Sequence, residues 1–389
     1  MSIPKTAGVV IVGGGIVGTA TAYYLAKAGV KDIIVLEKNT VCSGSTARCG
    51  AGIRAQFGLD LNCRLGLASI EVHEKLSEEL GMDTGLNQMG YLLVSYTPEE
   101  WKLFQQNIET QHKAGVMTRT LDLKEVKEIC PGIAHIDDAC GFTFYDRDGT
   151  GDPFLTTFAF KEGAIRYGAK FYKFTEVKRL LKDNSRIKGV ETVEGTILAD
   201  KVVLASGIWT RDLGRTIGLE FPVYGERHQM IVTEPVEQGV CPTVLMSFSH
   251  DFYFLQRPNG TVLCGASPPN DFAGNYRTTA GNLYKIGESM MEILPRTRDI
   301  RIVRHWSGFY DMTPDASPLF GKTDVDGLYV SCGYSGHGYM VGPVAGKVMT
   351  QLILGQEESF DMSVFDYHRF EKGKIILEPM VDTDIATVG

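Results

Sequence analysis

Val9-Val10-Ile11-Val12-Gly13-Gly14-Gly15-Ile16-Val17-Gly18 is the stretch whose reading decides the fold. Four consecutive apolar residues, mostly β-branched, predict a strand buried on both faces of a parallel sheet. The next six residues satisfy G-x-G-x-x-G. Gly13 permits the tight turn, Gly15 lets backbone N–H groups approach a pyrophosphate, and Gly18 lets the following helix pack on the strand. From Ile16 to Ala28 the spacing of Ala20, Tyr23, Tyr24 and Lys27 predicts a helix, with Gly29 at its C-terminal cap. Ile33 to Leu36 repeats the buried-strand pattern and ends on Glu37, 24 residues after Gly13. A carboxylate there can accept both hydroxyls of an adenosine ribose and disfavours a 2′-phosphate. The unit is a dinucleotide-binding βαβ. Alone it does not separate a nicotinamide from a flavin.

Composition bounds the rest. The chain has 389 residues, 43% hydrophobic and 22% charged, the profile of a globular protein of two or three domains rather than a disordered one. Thirty-nine basic against 47 acidic residues leave a net charge of -8, so the overall field repels polyanions and nucleic acid is not expected as a partner. Eight cysteines are scattered without a C-x-x-C pair, which predicts neither a disulfide framework nor a zinc or other metal site and suits a reduced, cytoplasmic setting. Gly8 to Ala26 is uncharged for 19 residues, but five are glycine and no basic segment precedes it. It reads as strand and helix, with no membrane span expected.

Beyond the first unit, Asp60 is placed to cap a long amphipathic helix reaching about Leu80. Gly90 to Tyr96 reads as a strand of another layer, followed by helical segments Pro98 to Ala114 and Leu123 to Cys130. Pro153 to Tyr167 reads as a helix. Segments 169–175, 187–193 and 196–205 read as strands returning to the first sheet. Met230 to Thr233, Tyr253 to Gln256, Thr261 to Gly265 and Ile302 to Gly308 are short strands between Pro, Gly and Asn turns. They predict an antiparallel sheet with one helix near Thr279 to Ile293. Gly327 to Ser331 is again a buried-strand run, followed by a helix from Pro343, a good first helical residue, to Leu354.

The 44 glycines, against a usual ~7%, cluster at 13–18, 44–58 and 333–346. Three features near them favour FAD over NAD. Ser43-Gly44-Ser45-Thr46-Ala47-Arg48-Cys49-Gly50 offers small side chains and hydroxyls to an extended ligand. Val202 to Thr210 is a second apolar strand ending in a small-residue turn at Ser206-Gly207. Gly333-Tyr334-Ser335-Gly336-His337-Gly338-Tyr339-Met340 precedes a helix whose N-terminus would stabilise an anionic reduced flavin ring.

With these motifs in hand, the chain resembles the D-amino-acid oxidase superfamily of FAD enzymes. Within it, the likeness is greatest to the β subunit of multi-subunit L-proline dehydrogenases and heterotetrameric sarcosine oxidases. VVIVGGGIVG, SGSTARCGAGIRAQF, DGTGDPF, WSGFYDMTPDASP, CGYSGHGYM and FDYHRFEKG carry it, in that order and over nearly the whole chain. The resemblance implies an α/β fold: a Rossmann-like FAD-binding domain, discontinuous in sequence (1–85, 146–220 and 325–389), plus an antiparallel-sheet substrate domain (86–145 and 221–324). It implies noncovalent FAD held by the Gly13, Gly14, Gly15, Ile16, Val17 and Gly18 turn, by Glu37 and Lys38, and by Ser45, Thr46, Arg48, Gly50 and Ala51. Val177, Ser206, Gly207, Gly333, Gly336, His337, Gly338, Tyr339 and Met340 complete the cofactor set.

The implied chemistry is hydride removal from the carbon next to the amine of a small amino acid, such as proline, sarcosine, glycine or an opine, giving an imine. Arg54 matches the carboxylate-binding arginine of sarcosine oxidases, a task suited to a guanidinium fork; the alternative is a structural ion pair. Arg48 contacts cofactor or simply packs. His228, Tyr253 and Tyr310 are candidates to touch substrate, or are satisfied sheet residues.

Departures from the family pattern also carry information. Gly308 stands where monomeric sarcosine oxidases tether FAD through a cysteine, so no covalent link is expected there. Asp146 to Phe160 contains no histidine to attach a second flavin, so any FMN, at a subunit interface, would be noncovalent. Val262 to Cys264 lacks the lysine with which monomeric oxidases activate oxygen, which favours a dehydrogenase passing electrons to α/γ-type subunits. The rival readings are a self-contained, peroxide-forming oxidase, a non-catalytic flavin-bearing relay subunit and, weakest, an NAD dehydrogenase. The segment after Phe370 docks a partner or packs on the sheet.

Overall fold

The computed structural model describes residues 3–266, 271, 272 and 274–379. Val9–Val12 and Ile33–Leu36 are fully buried strands, paired in parallel with Val10 opposite Ile34. They lie inside a six-stranded sheet ordered Leu319–Lys322, Leu328–Cys332, Val202–Leu204, Val9–Val12, Ile33–Leu36, Lys170–Tyr172. Val9–Val12 thus has Ile33–Leu36 on one side and Val202–Leu204 on the other. Connections leave it in both directions, and a crevice opens at the carboxyl ends of these strands, lined by Gly13 and Ala205.

The helix Ile16–Lys27 is buried from Ile16 to Ala26, wedged between the sheet and the helices Gly338–Leu354 and Pro153–Arg166. Small residues permit this. A Cβ on Gly18 would lie 2.0 Å from the Gly13 carbonyl oxygen, and one on Gly346 would lie 2.7 Å from Ala20 Cβ.

The second layer is an eight-stranded sheet ordered Ile302–Met312, Tyr224–Thr233, Val262–Ala266, Phe252–Gln256, Val244–Ser247, Tyr91–Ser95, Gly141–Tyr145, Arg119–Thr120. It departs from the antiparallel expectation at one pair, Val244–Ser247 with Tyr91–Ser95, which run parallel.

Other expectations need correction. The stretch between 177 and 198 does not return to the first sheet. Val177–Asp183, Arg186–Thr192 and Gly195–Leu198 form their own three-stranded antiparallel sheet. The first of them, VKRLLKD, buries only Val177 and Leu180, three apart across a β-bulge, so its charges and broken alternation conceal a strand. Leu319–Lys322 pairs antiparallel at the edge of the six-stranded sheet. Asp60 is the first residue of its helix, Asp60–Leu80, rather than the cap, which is Leu59; its carboxylate pairs with Arg64 one turn on. The last long helix begins at Gly338, and Pro343 lies inside it. Proline removes one hydrogen bond there, and the close contact between Gly342 and Ile16 packs that turn against the first helix. Residues 380–389 of the C-terminal segment lie outside the described residues.

Preceding that end, Arg369 grips Asp315 with two charge-assisted bonds of 2.8 Å, from Nε to Oδ2 and from Nη2 to Oδ1, and both side chains are nearly inaccessible. Asp315 also accepts from the Ser317 and Ile376 amides. Removing one member of a buried pair leaves the other charge uncompensated. Arg369→Ala is therefore expected to lower folding stability by about 3–5 kcal/mol, read as a shift in the urea midpoint at unchanged slope.

Candidate active site

A cavity of about 700 Å³ runs from the carboxyl ends of the six-stranded sheet to the face of the eight-stranded sheet. One end is lined by Glu37, Lys38, Val177 and Trp209, the middle by Gly13, Gly15, Ile16 and Val17, and the far end by Arg54, Tyr91, His228 and Tyr310.

Two helices direct bare N-termini at it. Ile16–Lys27 and Gly338–Leu354 have neither a side-chain cap nor an acidic residue in the first turn. Four helices elsewhere are capped by Thr97, Asp122, Asp152 and Thr279. Only Thr46 Oγ1 approaches the first of the bare ends, accepting the Ile16 amide at 3.2 Å. Unpaired N–H groups with a favourable dipole suit a phosphate at the one and an electron-rich ring edge at the other. A Cβ on Gly13, at φ +112°, would lie 2.3 Å from the Ala205 carbonyl oxygen. The cradle therefore tolerates no side chain at this position.

Glu37 accepts the Gly14 and Asn39 amides at 2.9 and 2.8 Å, which fixes the carboxylate at the cavity rim with lone pairs to spare. Lys38 lies over the Trp209 ring at 3.2 Å, and burial lowers its pKa. The loop from Ser43 to Gly50 is stitched to the strand Ile302–Met312. Ser45 Oγ donates to the Phe309 carbonyl at 2.7 Å, Arg48 Nη1 to the Ser307 carbonyl at 3.0 Å, and Trp306 Nε1 to the Arg48 carbonyl at 3.1 Å. Gly308 makes room, since a Cβ there would lie 2.8 Å from Arg48 Cβ. Arg48 lines the cavity, stacks on Tyr276 and keeps a buried Nε without a hydrogen-bond partner among the described residues.

Gly50, Ala51, Ser206, Gly207, Gly336, Gly338, Tyr339 and Met340 also line the cavity. Gly14, Gly18 and Gly333 do not. Gly14 serves Glu37, Gly18 packs helix on strand, and the Gly333 amide donates to Asp311 Oδ2 at 2.8 Å. An elongated dinucleotide fits these surroundings, as the bare helix ends, the anchored Glu37, the orphaned Arg48 Nε and the glycine-lined walls all accommodate one.

The far end carries the candidate substrate groups. Arg227 and Arg369, the other deeply buried arginines, pair with Asp271 and Asp315 at 2.8 Å. Arg54 is 8% exposed. Among the described residues its guanidinium has only the Gln56 carbonyl, at 2.6 Å, and the faces of Phe57 and Phe248. The Tyr91 and Tyr253 hydroxyls lie 3.2 Å apart, and Gly50 and Gly52 admit the two rings. His228 stacks on Tyr310 with ring centres 3.7 Å apart. Its Nε2 lies 3.3 Å from Glu226 Oε1 without hydrogen-bond geometry, and remains a buried atom without a bonded partner. His337 packs edge-on to Phe57. Burial, then the charge of Arg54, lower its pKa to about 4, so it is a neutral imidazole at pH 7. Burial pushes Tyr310 up to about 12 and Asp311 up to about 6.

Tyr91, Met246 and Phe248 share this end but carry no motif. Tyr91 and Met246 lie on strands without an in-out alternation, and Phe248 on the turn after the second, so no local signal marks them. Asp148 was missed for another reason, since it stands behind the site. Its oxygens accept the Ala55 amide at 2.7 Å and Gln56 Nε2 at 2.9 Å, bracing the loop that bears Arg54.

The family described as FAD dependent oxidoreductase (DAO) matches residues 8–352. The chain is 34% identical to sarcosine oxidase subunit beta of Arthrobacter sp over 96% of this chain and 93% of the relative. Among solved structures, L-proline dehydrogenase from P. horikoshii is 35% identical at a TM-score of 0.91, over 96% of this chain and 100% of that one. Glycine oxidase from Geobacillus kaustophilus is 26% identical at 0.86, over 94% and 99%.

Asp148 also sets a pH dependence. Burial outweighs its two donors and raises its pKa to about 7. An acid whose folded pKa exceeds its unfolded value is protonated only in the folded state between the two, so its contribution to stability declines as pH rises from about 4 to 7. Asp148→Asn lacks that dependence. From pH 5 to 7 its unfolding free energy should gain on that of the unsubstituted protein by roughly 2 kcal/mol, measured by denaturant titration at each pH.

Proposed function

Because this chain belongs to the FAD dependent oxidoreductase (DAO) family, we propose that it oxidises a small amino acid or N-substituted amino acid. Hydride leaves the carbon next to nitrogen and an imine forms. The observation that carries this reading is Arg54, a buried guanidinium that forms no salt bridge among the described residues, Asp148 behind it being a carboxylate its charge reaches without a hydrogen bond, at the end of a cavity whose lining includes Tyr91, Phe248 and Tyr253. Relatives named for sarcosine, proline and glycine share the carboxylate that such a group would bind.

In this reading Glu37 holds the adenosine ribose, Gly13, Gly15, Ile16 and Val17 the pyrophosphate, and Ser45, Thr46, Arg48 and the segment from Gly336 to Met340 the ring system. Bound FAD supplies the hydride acceptor. Arg54 grips the substrate carboxylate bidentately and so orients the Cα–H bond. The aromatic wall excludes water and favours the neutral amine, whose lone pair must assist hydride departure. Neutral His337 adds no cation to oppose the amine's approach, and no dedicated base is required. His228, with its orphaned Nε2, and Tyr253 and Tyr310 complete the wall that touches the substrate.

Relatives named sarcosine oxidase subunit beta support a further reading, that the chain works with other subunits which take its electrons. The exposed Phe154, Leu155 and Phe158 on one helix suit such a contact, and FMN held noncovalently there belongs to the same proposal. Among the described residues no helix is long and apolar enough to cross a membrane, and we place the protein in the cytoplasm.

Under anaerobic conditions some member of a panel of proline, sarcosine, glycine and opines should bleach the flavin, and failure across the panel would sink the reading. With the reactive member, Arg54→Lys keeps the charge but loses the fork. It should lower kcat/KM roughly 100-fold, equivalent to about 3 kcal/mol, and Arg54→Ala should lower it further. Turnover of the assembled protein that survives Arg54→Ala unchanged would favour a relay subunit. On the isolated chain, peroxide release should stay far slower than reduction of an added dye; release as fast as dye reduction would favour the oxidase.

A further inference from the structure

Gln56 to Leu59, just after Arg54, leads into the helix Asp60–Leu80, which has no side-chain cap of its own. The missing acceptor comes from the far end of the chain. Glu378 Oε1 accepts the Gly58 amide at 2.6 Å, and Oε2 accepts the Leu59 amide at 3.3 Å and Asn62 Nδ2 at 2.7 Å. Glu378 is 6% exposed. Gly58 allows the approach, since a Cβ there would lie 2.9 Å from the carboxylate.

The strand of chain carrying Glu378 is pinned on the way. The Ile376 amide donates to Asp315 Oδ2 at 3.1 Å, and the Ile376 carbonyl accepts from Ser317 at 3.4 Å. The capped loop in turn sets the guanidinium. Arg54 Nη1 is held by the Gln56 carbonyl, and its face lies 4.3 Å from the Phe57 ring. Glu378 and Phe57 also border, together with His337 and Met340, a small cavity of about 30 Å³ behind the site. The loop that bears on Arg54 is thus held at Gln56 by Asp148, at the Phe57 carbonyl by Gln111 Nε2 at 2.8 Å, and at the Gly58 and Leu59 amides by Glu378.

We propose that Glu378 is a positioning residue for the substrate carboxylate, acting on Arg54 through the Gln56–Leu59 loop. The inference rests on the reading of Arg54 given above. The test uses the holoenzyme and cyclopentanecarboxylate, a carboxylate without the amine, titrated while flavin absorbance is followed. Glu378→Ala should raise the dissociation constant about fivefold, equivalent to about 1 kcal/mol, with FAD content retained. In turnover with the reactive amino acid the loss should fall on KM rather than kcat. Glu378→Gln, whose amide oxygen can still accept from Gly58, should recover most of it.

A lowered melting temperature with unchanged dissociation constant and KM overturns the inference and leaves Glu378 a structural cap. Arg54→Ala in the same titration separates the two claims. If it binds the carboxylate as well as the unsubstituted protein does, the reading of Arg54 fails. If it binds poorly while Glu378→Ala binds normally, only the role of Glu378 fails. A flavin that the carboxylate leaves unperturbed in the unsubstituted protein overturns both.

Discussion

The contact on which the architecture depends is the approach of three backbone segments around Gly13. The turn passes so near Ala205, and the first helix so near the turn at Gly18, that a methyl group at either point would sit within 2.3 Å of a carbonyl oxygen. Without that closeness the helix could not direct its bare amides into the crevice, and the crevice itself would close. Everything else is arranged around this point. The helices on either side present Gly163 and Gly346 to the first helix, and the loop from Ser43 to Gly50 folds over the opening.

The two sheets have different tasks, and few contacts join them at the cavity. The six-stranded sheet offers backbone: amides, helix ends and one anchored carboxylate. The eight-stranded sheet offers side chains: Tyr91, Met246, Tyr253, His228 and Tyr310. The loop bearing Arg48 ties one to the other through Ser45, Arg48 and Trp306. In the proposed reading the first would hold the hydride acceptor and the second would line the substrate's place, and those bonds would fix one against the other, the positional accuracy that transfer chemistry requires.

What the sequence disclosed followed from how local the physics was. The βαβ unit was legible to within a residue because burial on both faces leaves an unbroken apolar run and the glycines mark the turn. Arg54 was singled out through likeness to a family, and its want of a salt bridge among the described residues only through coordinates. The strand Val177–Asp183 stayed hidden because a β-bulge breaks its alternation and four of its seven residues are charged. Pro343 misled because a local preference for first helical positions was overridden by packing against Ile16. Asp148 and Glu378 could not be found from spacing at all, since their partners lie 93 and 320 residues away in the chain.

That last separation bears on how the molecule is made. The first helix, buried on every side, is sheathed by a helix that begins at Gly338, and the loop beside Arg54 is fastened by Glu378. A ribosome emits these partners only after nearly all the polypeptide has emerged, so the nascent N-terminal unit waits with its greasiest surface uncovered. Such a chain is exposed to chaperones and aggregation for most of its synthesis, and prosthetic group capture becomes a late, post-translational event.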